Sequence, residues 1–110
     1  MIIHFDFDKS DILPSEMEKI KAAAATFRHH RGEYNMFVTG HTDNVGSLEY
    51  NYALAKRRNE AVLDALRQYN VELPIDMVEK AYLEPAADNT TDSGRSQNRR
   101  VVISFKKKIK

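Results

Sequence analysis

Three features of the sequence predict an α/β (α+β) two-layer sandwich. Apolar and polar residues alternate near both ends, at Ile3, Phe5 and Phe7 and again at Val101, Ile103 and Phe105, as in half-buried strands. Two long stretches between them repeat at helical spacing, and the short apolar run from Tyr34 to Thr39 separates those stretches. The order βαβαββ follows, with a mixed four-stranded sheet and both helices packed on one of its faces. A chain of 110 residues, 42% hydrophobic and 30% charged, suits a single domain over 1–110 built on one core.

The first strand is predicted over about 2–7, ended by the polar stretch Asp8-Lys9-Ser10-Asp11. Pro14 and Ser15 ahead of Glu18 suggest a capping box, and Met17, Ile20, Ala24 and Phe27 mark the buried stripe of a helix over about 14–30, closed by Gly32. The run from Tyr34 is a buried strand ending at Gly40. A second helix, the longest element, begins near Ser47 and runs to about Tyr69, before Asn70 and a turn at Pro74. A third strand over about 77–83 is stopped by Pro85, and the polar segment 86–97 is a loop with room for one short helical turn. The last strand spans about 99–106, with 106–110 as a frayed tail. Phe5, Phe7, Phe37 and Phe105 fall at core positions of this scheme.

Composition excludes several classes. Seventeen Lys and Arg against sixteen Asp and Glu leave a net charge of +1, so no global field draws the chain to nucleic acid or an anionic membrane. No apolar run approaches the roughly 18 to 20 residues that a membrane helix needs. The first residues lack the basic and apolar regions of a signal peptide. With no cysteine, disulfides, thiolate zinc sites and cysteine nucleophiles are ruled out together.

On a helical wheel of the second helix with Leu54 at zero, Ala61, Val62, Ala65, Leu66 and Tyr69 share an arc of about 140°. Arg58 falls at about 40° and Asn51 at about 60°, inside that arc. A guanidinium keeps its proton, so a core-facing Arg58 needs a partner or an opening to solvent. A structural ion pair or a snorkelling side chain answers that need, and so does a ligand site. The turn Gly40-His41-Thr42-Asp43-Asn44-Val45-Gly46 favours the site, because it leaves the C-terminal end of a buried strand and enters the helix that carries Arg58. Asp43 near the helix N-terminus and Arg58 together make a two-signed pocket, suited to a ligand that carries an ammonium and a carboxylate.

Gly40-His41-Thr42-Asp43, Glu49-Tyr50-Asn51, Leu54, Arg57-Arg58, Val62, Asn89, Gly94-Arg95 and Asn98-Arg99-Arg100-Val101, extending back to Phe5-Asp6-Phe7-Asp8, form an ordered pattern. In order and spacing it resembles the OmpA-like peptidoglycan-binding domains, the family of the OmpA C-terminal domain, Pal and the periplasmic part of MotB. The resemblance implies a non-catalytic module of the periplasm, attached to the outer membrane through a parent chain, that grips meso-diaminopimelate in the stem peptide. It implies no metal, no cofactor, no nucleic acid and no membrane contact by the domain itself, and leaves the oligomeric state open. By the same resemblance Asp43 meets the ligand ammonium and Arg58 its carboxylate. Thr42, Asn51, Leu54, Asn98 and Arg99 line or support the pocket, and Phe7 and Asp8 supply its far wall. Where the family commonly has alanine after the arginine and glycines flanking a tyrosine, this chain has Asn59, Ala81 and Leu83, so the loop after the third strand is expected to differ in shape.

Two other readings remain. His41 with Asp43 suggests a metal site or the base of a peptidoglycan hydrolase or amidase, although no second cluster with ligand spacing and no Gly-x-Ser-x-Gly elbow accompanies them. Arg95, Arg99, Arg100 and the lysine-rich tail suggest RNA binding on the sheet, which would need exposed aromatic residues there.

Overall fold

The computed structural model describes residues 1–29, 34–71 and 75–108. Its elements are β1 (Ile2–His4), α1 (Pro14–His29), β2 (Tyr34–His41), α2 (Leu48–Gln68), β3 (Ile75–Ala81), α3 (Asp92–Asn98) and β4 (Arg100–Lys107). The sheet order is β1-β4-β2-β3. β4 runs antiparallel to β1 and β2, while β2 and β3 are parallel, so the sheet is mixed as expected. One face carries the core: Ile3, Met36, Val38, Val101 and Ile103 meet Ile20, Ala24 and Phe27 of α1 and Val62 and Leu66 of α2. The order differs from βαβαββ by α3, a full short helix where only a turn was foreseen. Thr91 caps it by accepting the Gly94 N–H at 2.9 Å. The proposed stop at Gly32, the Pro74 turn and the last two residues of the tail lie outside the described residues.

β1 is shorter than the alternation suggests. After His4 the chain leaves the sheet: Phe5 still donates its N–H to the Arg99 carbonyl and is buried, but Lys9 N–H turns back to the Asp6 carbonyl and Asp8 takes a left-handed φ of 54°. Phe7 is therefore 55% exposed and not part of the core. Phe37 is also displaced from its predicted place, half-buried on the face away from the helices, with the Lys106 ammonium 5.2 Å from its ring centre. β3 begins two residues earlier than predicted and ends at Ala81, and β4 holds Lys106 and Lys107 in pairing with Asn35 and Tyr34 in place of a fraying end.

The capping box at Ser15 does not form, because Pro14 is already helical. Proline suits the first helical position, where its missing N–H would have no partner. The Glu16 and Met17 N–H groups close onto the Leu13 carbonyl. Glu16 accepts the His4 N–H at 2.7 Å and pairs with Lys19 at 2.9 Å, which ties α1 to β1. Burial acts to raise its pKa, and the His4 N–H with the Lys19 ammonium outweighs that and holds it below the usual carboxylate value. α2 begins as predicted, with Ser47 accepting the Tyr50 N–H, and it closes in a Schellman motif. There Asn70 is left-handed at φ 68°, its N–H meets the Arg67 carbonyl and the Val71 N–H meets that of Leu66.

α2 lies unusually near β2 at one point. A methyl group on Gly40 would sit 2.7 Å from the Ala55 carbonyl oxygen and 2.7 Å from Asn59 Oδ1. Gly40→Ala is therefore expected to destabilise the fold by about 2 kcal/mol through overpacking. The check is urea unfolding, with a lower midpoint at unchanged slope; an unchanged midpoint would show that α2 can shift without cost.

Candidate functional site

The buried face of α2 contains Asn51, Leu54, Ala55, Arg58, Asn59, Val62, Ala65 and Leu66. Arg58 is its most consequential member, with 0% exposure. Among the described residues no carboxylate takes it up directly. Its Nε donates to the Lys9 carbonyl at 2.9 Å, Nη1 to that of His41 at 3.1 Å and Nη2 to that of Asp6 at 3.2 Å, while Phe5 presents its ring face 5.2 Å away. Burial pushes its pKa down to about 10, against the pull of Asp43, so the side chain is cationic at neutral pH.

Asp43 follows the C-terminal end of β2 and is likewise buried. Its Oδ1 accepts the Val45 N–H at 3.1 Å, and its Oδ2 faces Arg99 Nη1 at 3.4 Å. The partner of Asp43 is thus Arg99, not Arg58. Arg99 in turn donates from Nε to the Phe5 carbonyl at 3.2 Å. The turn after Asp43 is shaped by Gly46, at φ 95°, and by Asn51, whose Nδ2 donates to the carbonyls of Val45 and Ser47 at 2.9 Å each.

Between this turn, the start of α2 and the turn after β1 lies a cavity of about 180 Å³, bordered by Phe7, Asp8, Asp43, Val45, Gly46, Tyr50, Asn51, Leu54 and Arg58. Asp43 and Arg58 therefore border one opening, with apolar flanks from Phe7, Val45 and Leu54. Phe7, Asp8, Asn51 and Leu54, singled out in the sequence, meet there. Three other residues singled out do not line it. Thr42 is buried behind Asp43 and donates its hydroxyl to the Asp43 carbonyl at 2.9 Å. Asn98 holds the loop before α3, accepting from the N–H groups of Ala86 and Ala87 and donating to the Ala87 carbonyl and Asn89. Arg99 supports the cavity from behind through Asp43. Tyr50, Val45 and Gly46 were missed as lining residues. Tyr50 stands in the quoted motif, but nothing in its spacing shows that its hydroxyl donates to the Asp8 carboxylate across the cavity.

The departures from the family pattern are placed as well. Asn59 is buried and donates to the Val78 carbonyl at 2.9 Å and to Glu79, fastening α2 to β3. Ala81 occupies a left-handed φ of 54°, the conformation that glycine adopts without strain, where the β2–β3 register shifts. His41 does not border the cavity; it is 6% exposed, and among the described residues its Nδ1 has no hydrogen-bond partner. Among the described residues, no group of three His, Cys, Asp or Glu is placed to hold a metal ion.

The mixed sheet, the two helices on one face and a cavity at the end of β2 bordered by Asp43 and Arg58 define an α/β domain with a two-signed cavity. The OmpA family model matches residues 4–99, and the chain belongs to that family. Outer membrane porin F of Pseudomonas aeruginosa is 40% identical over 101 residues, covering 90% of this chain and 29% of the porin. The peptidoglycan-associated lipoprotein of Legionella pneumophila is 34% identical over 102 residues, covering 92% of this chain and 57% of the lipoprotein. This chain thus spans well under two thirds of either relative. Among solved structures, the peptidoglycan-associated lipoprotein from Burkholderia pseudomallei superposes with a TM-score of 0.89 at 27% identity, covering 96% of this chain and 89% of that one. The C-terminal domain of Helicobacter pylori MotB superposes with a TM-score of 0.88 at 25% identity, over 96% and 84%. The relatives are outer-membrane and peptidoglycan-associated envelope proteins. No helix among the described residues is long and apolar enough to cross a membrane.

Burial, then the nearby Arg100 cation, lowers the His41 pKa to about 4, with Lys80 acting in the same sense and Glu84 against it. The unfolded chain takes up this proton near the ordinary histidine value, so stability is full above about pH 6.5 and falls as pH drops towards 4. Thermal melts across that range are expected to show the decline, and His41→Gln is expected to flatten it. An equal slope in the variant would assign the decline to other groups.

Proposed function

We propose that the domain binds peptidoglycan non-covalently, through the diaminopimelate of the stem peptide, and so anchors its parent chain to the cell wall. The observation that carries this reading is the meeting of Asp43 and Arg58 at one cavity in a chain whose relatives include peptidoglycan-associated lipoproteins. The far end of the diaminopimelate side chain carries one ammonium and one carboxylate. In the proposed complex the ammonium lies against Asp43, and the carboxylate is received by the N–H groups of Arg58 that its three carbonyl partners leave free. Leu54 and Phe7 cover the methylene chain between the two charges. The three backbone bonds hold the guanidinium in place before the ligand arrives, which lowers the ordering cost of binding. No step of bond cleavage is assigned: His41, on which a wall hydrolase would rely, is buried and does not itself border the cavity.

Each charge-assisted contact contributes about 1.5 to 3 kcal/mol, so Asp43→Asn is expected to weaken binding to purified sacculi by more than about tenfold. Arg58→Lys keeps the charge and loses the planar fork, and the same direction is expected for it. Removing Arg58 also frees three carbonyls, so both variants are first checked by thermal melting. A folded Asp43→Asn variant that sediments with sacculi like the wild type would refute the assignment.

A further inference from the structure

We propose that Arg57, at the rim of the cavity, receives a second carboxylate of the ligand, so that the domain recognises the stem peptide beyond its diamino acid. This deepens the binding function proposed above and rests on it. Tyr50 borders the cavity, and the Arg57 guanidinium lies over its ring, 5.8 Å from the centre. Arg57 stands two turns beyond Tyr50 on α2, so its side chain reaches back along the helix to that ring. An aromatic face thus holds the cation at the cavity wall. It is otherwise unspent: the positions four residues away, where a helix offers an acidic partner, carry Ala53 and Ala61. Glu60, three residues on, forms no salt bridge with it, nor does any other carboxylate among the described residues.

The two neighbouring arginines divide by depth. Arg58 is buried and held by three carbonyls, while Arg57 is exposed beside the opening. In the stem peptide the glutamate before diaminopimelate is joined through its side-chain carboxyl, which leaves its α-carboxylate free. With the far end of diaminopimelate between Asp43 and Arg58, that α-carboxylate emerges at the rim, a few bonds from the part of the ligand that stays outside. The planar fork of Arg57 suits a carboxylate, and its seat on the ring reduces the freedom it gives up on binding. Asp8 also borders the cavity, and its charge turns an arriving carboxylate towards the guanidinium. Because Arg57 is in contact with water, its contribution is small and falls as salt is added.

Two tripeptides isolate this contact: L-Ala-γ-D-Glu-meso-diaminopimelate, and the same peptide with the glutamate α-carboxylate amidated. In NMR titrations of the wild type at low salt, the peptide with the free carboxylate is expected to show a dissociation constant lower by about threefold, and the difference is expected to shrink at high salt. Arg57→Gln is expected to bind both peptides alike, with the affinity of the wild type for the amidated one and an unchanged melting temperature. Equal affinity of the wild type for the two peptides overturns the proposal. So does a difference that survives unaltered in Arg57→Gln, because another group would then read the carboxylate. A loss of affinity in Arg57→Gln that is the same for both peptides also overturns it, since Arg57 would then act only through the Tyr50 ring. If the wild type binds neither peptide, the binding reading falls together with this one. If it binds both alike and Asp43→Asn weakens both, this one falls alone.

Discussion

A cation that keeps its proton sits at the centre of this molecule without contact to solvent, and the chain is arranged around it. Burying an unsatisfied guanidinium would cost several kcal/mol. Arg58 avoids that cost through three backbone carbonyls from two separate segments, Asp6 and Lys9 in the turn after β1 and His41 at the end of β2. β1 therefore ends at His4 and its turn folds back over α2. Gly40 permits the close approach of α2 that brings the guanidinium within reach of the His41 carbonyl. The cavity beside it is a consequence of the same geometry, since its walls are the segments that Arg58 holds.

Electrostatics then divides the labour among the arginines. Arg99 meets Asp43 from behind at 3.4 Å, so the carboxylate stays in place without neutralising Arg58. The two charges at the cavity are each supported by other groups and need not collapse on each other when no ligand is present. In the proposed binding role, preorganisation of this kind would favour a zwitterion over a plain cation or anion, because a ligand with one charge would meet only one of the two groups.

Much of the fold was legible because its determinants are periodic. Strand alternation, the stripe of α2 and the Ser47 and Asn70 boundaries are local signals, and the structure reproduces them. The errors fall where a distant partner overrides a local pattern. Phe7 continues the alternation of β1 but is drawn out of the sheet by the turn that Arg58 grips. Phe37 faces the side of the sheet that the helices leave open. In the site, Arg58 and Asn51 were visible as polar residues inside an apolar arc, and Asp43 as an acid at the strand end. Pairing of Asp43 with Arg99 was not visible, since 56 residues separate them. Neither was the bond from Tyr50 to Asp8, because an exposed tyrosine at the start of a helix has no periodic signature.

The most direct measurement is a crystal of the protein soaked with free meso-diaminopimelate. The account predicts one molecule in the cavity, its side-chain ammonium against the Asp43 carboxylate and its carboxylate on Arg58, with the three carbonyl bonds of Arg58 intact. Density for the ligand elsewhere on the molecule, or in the cavity with those two ends reversed, would contradict it.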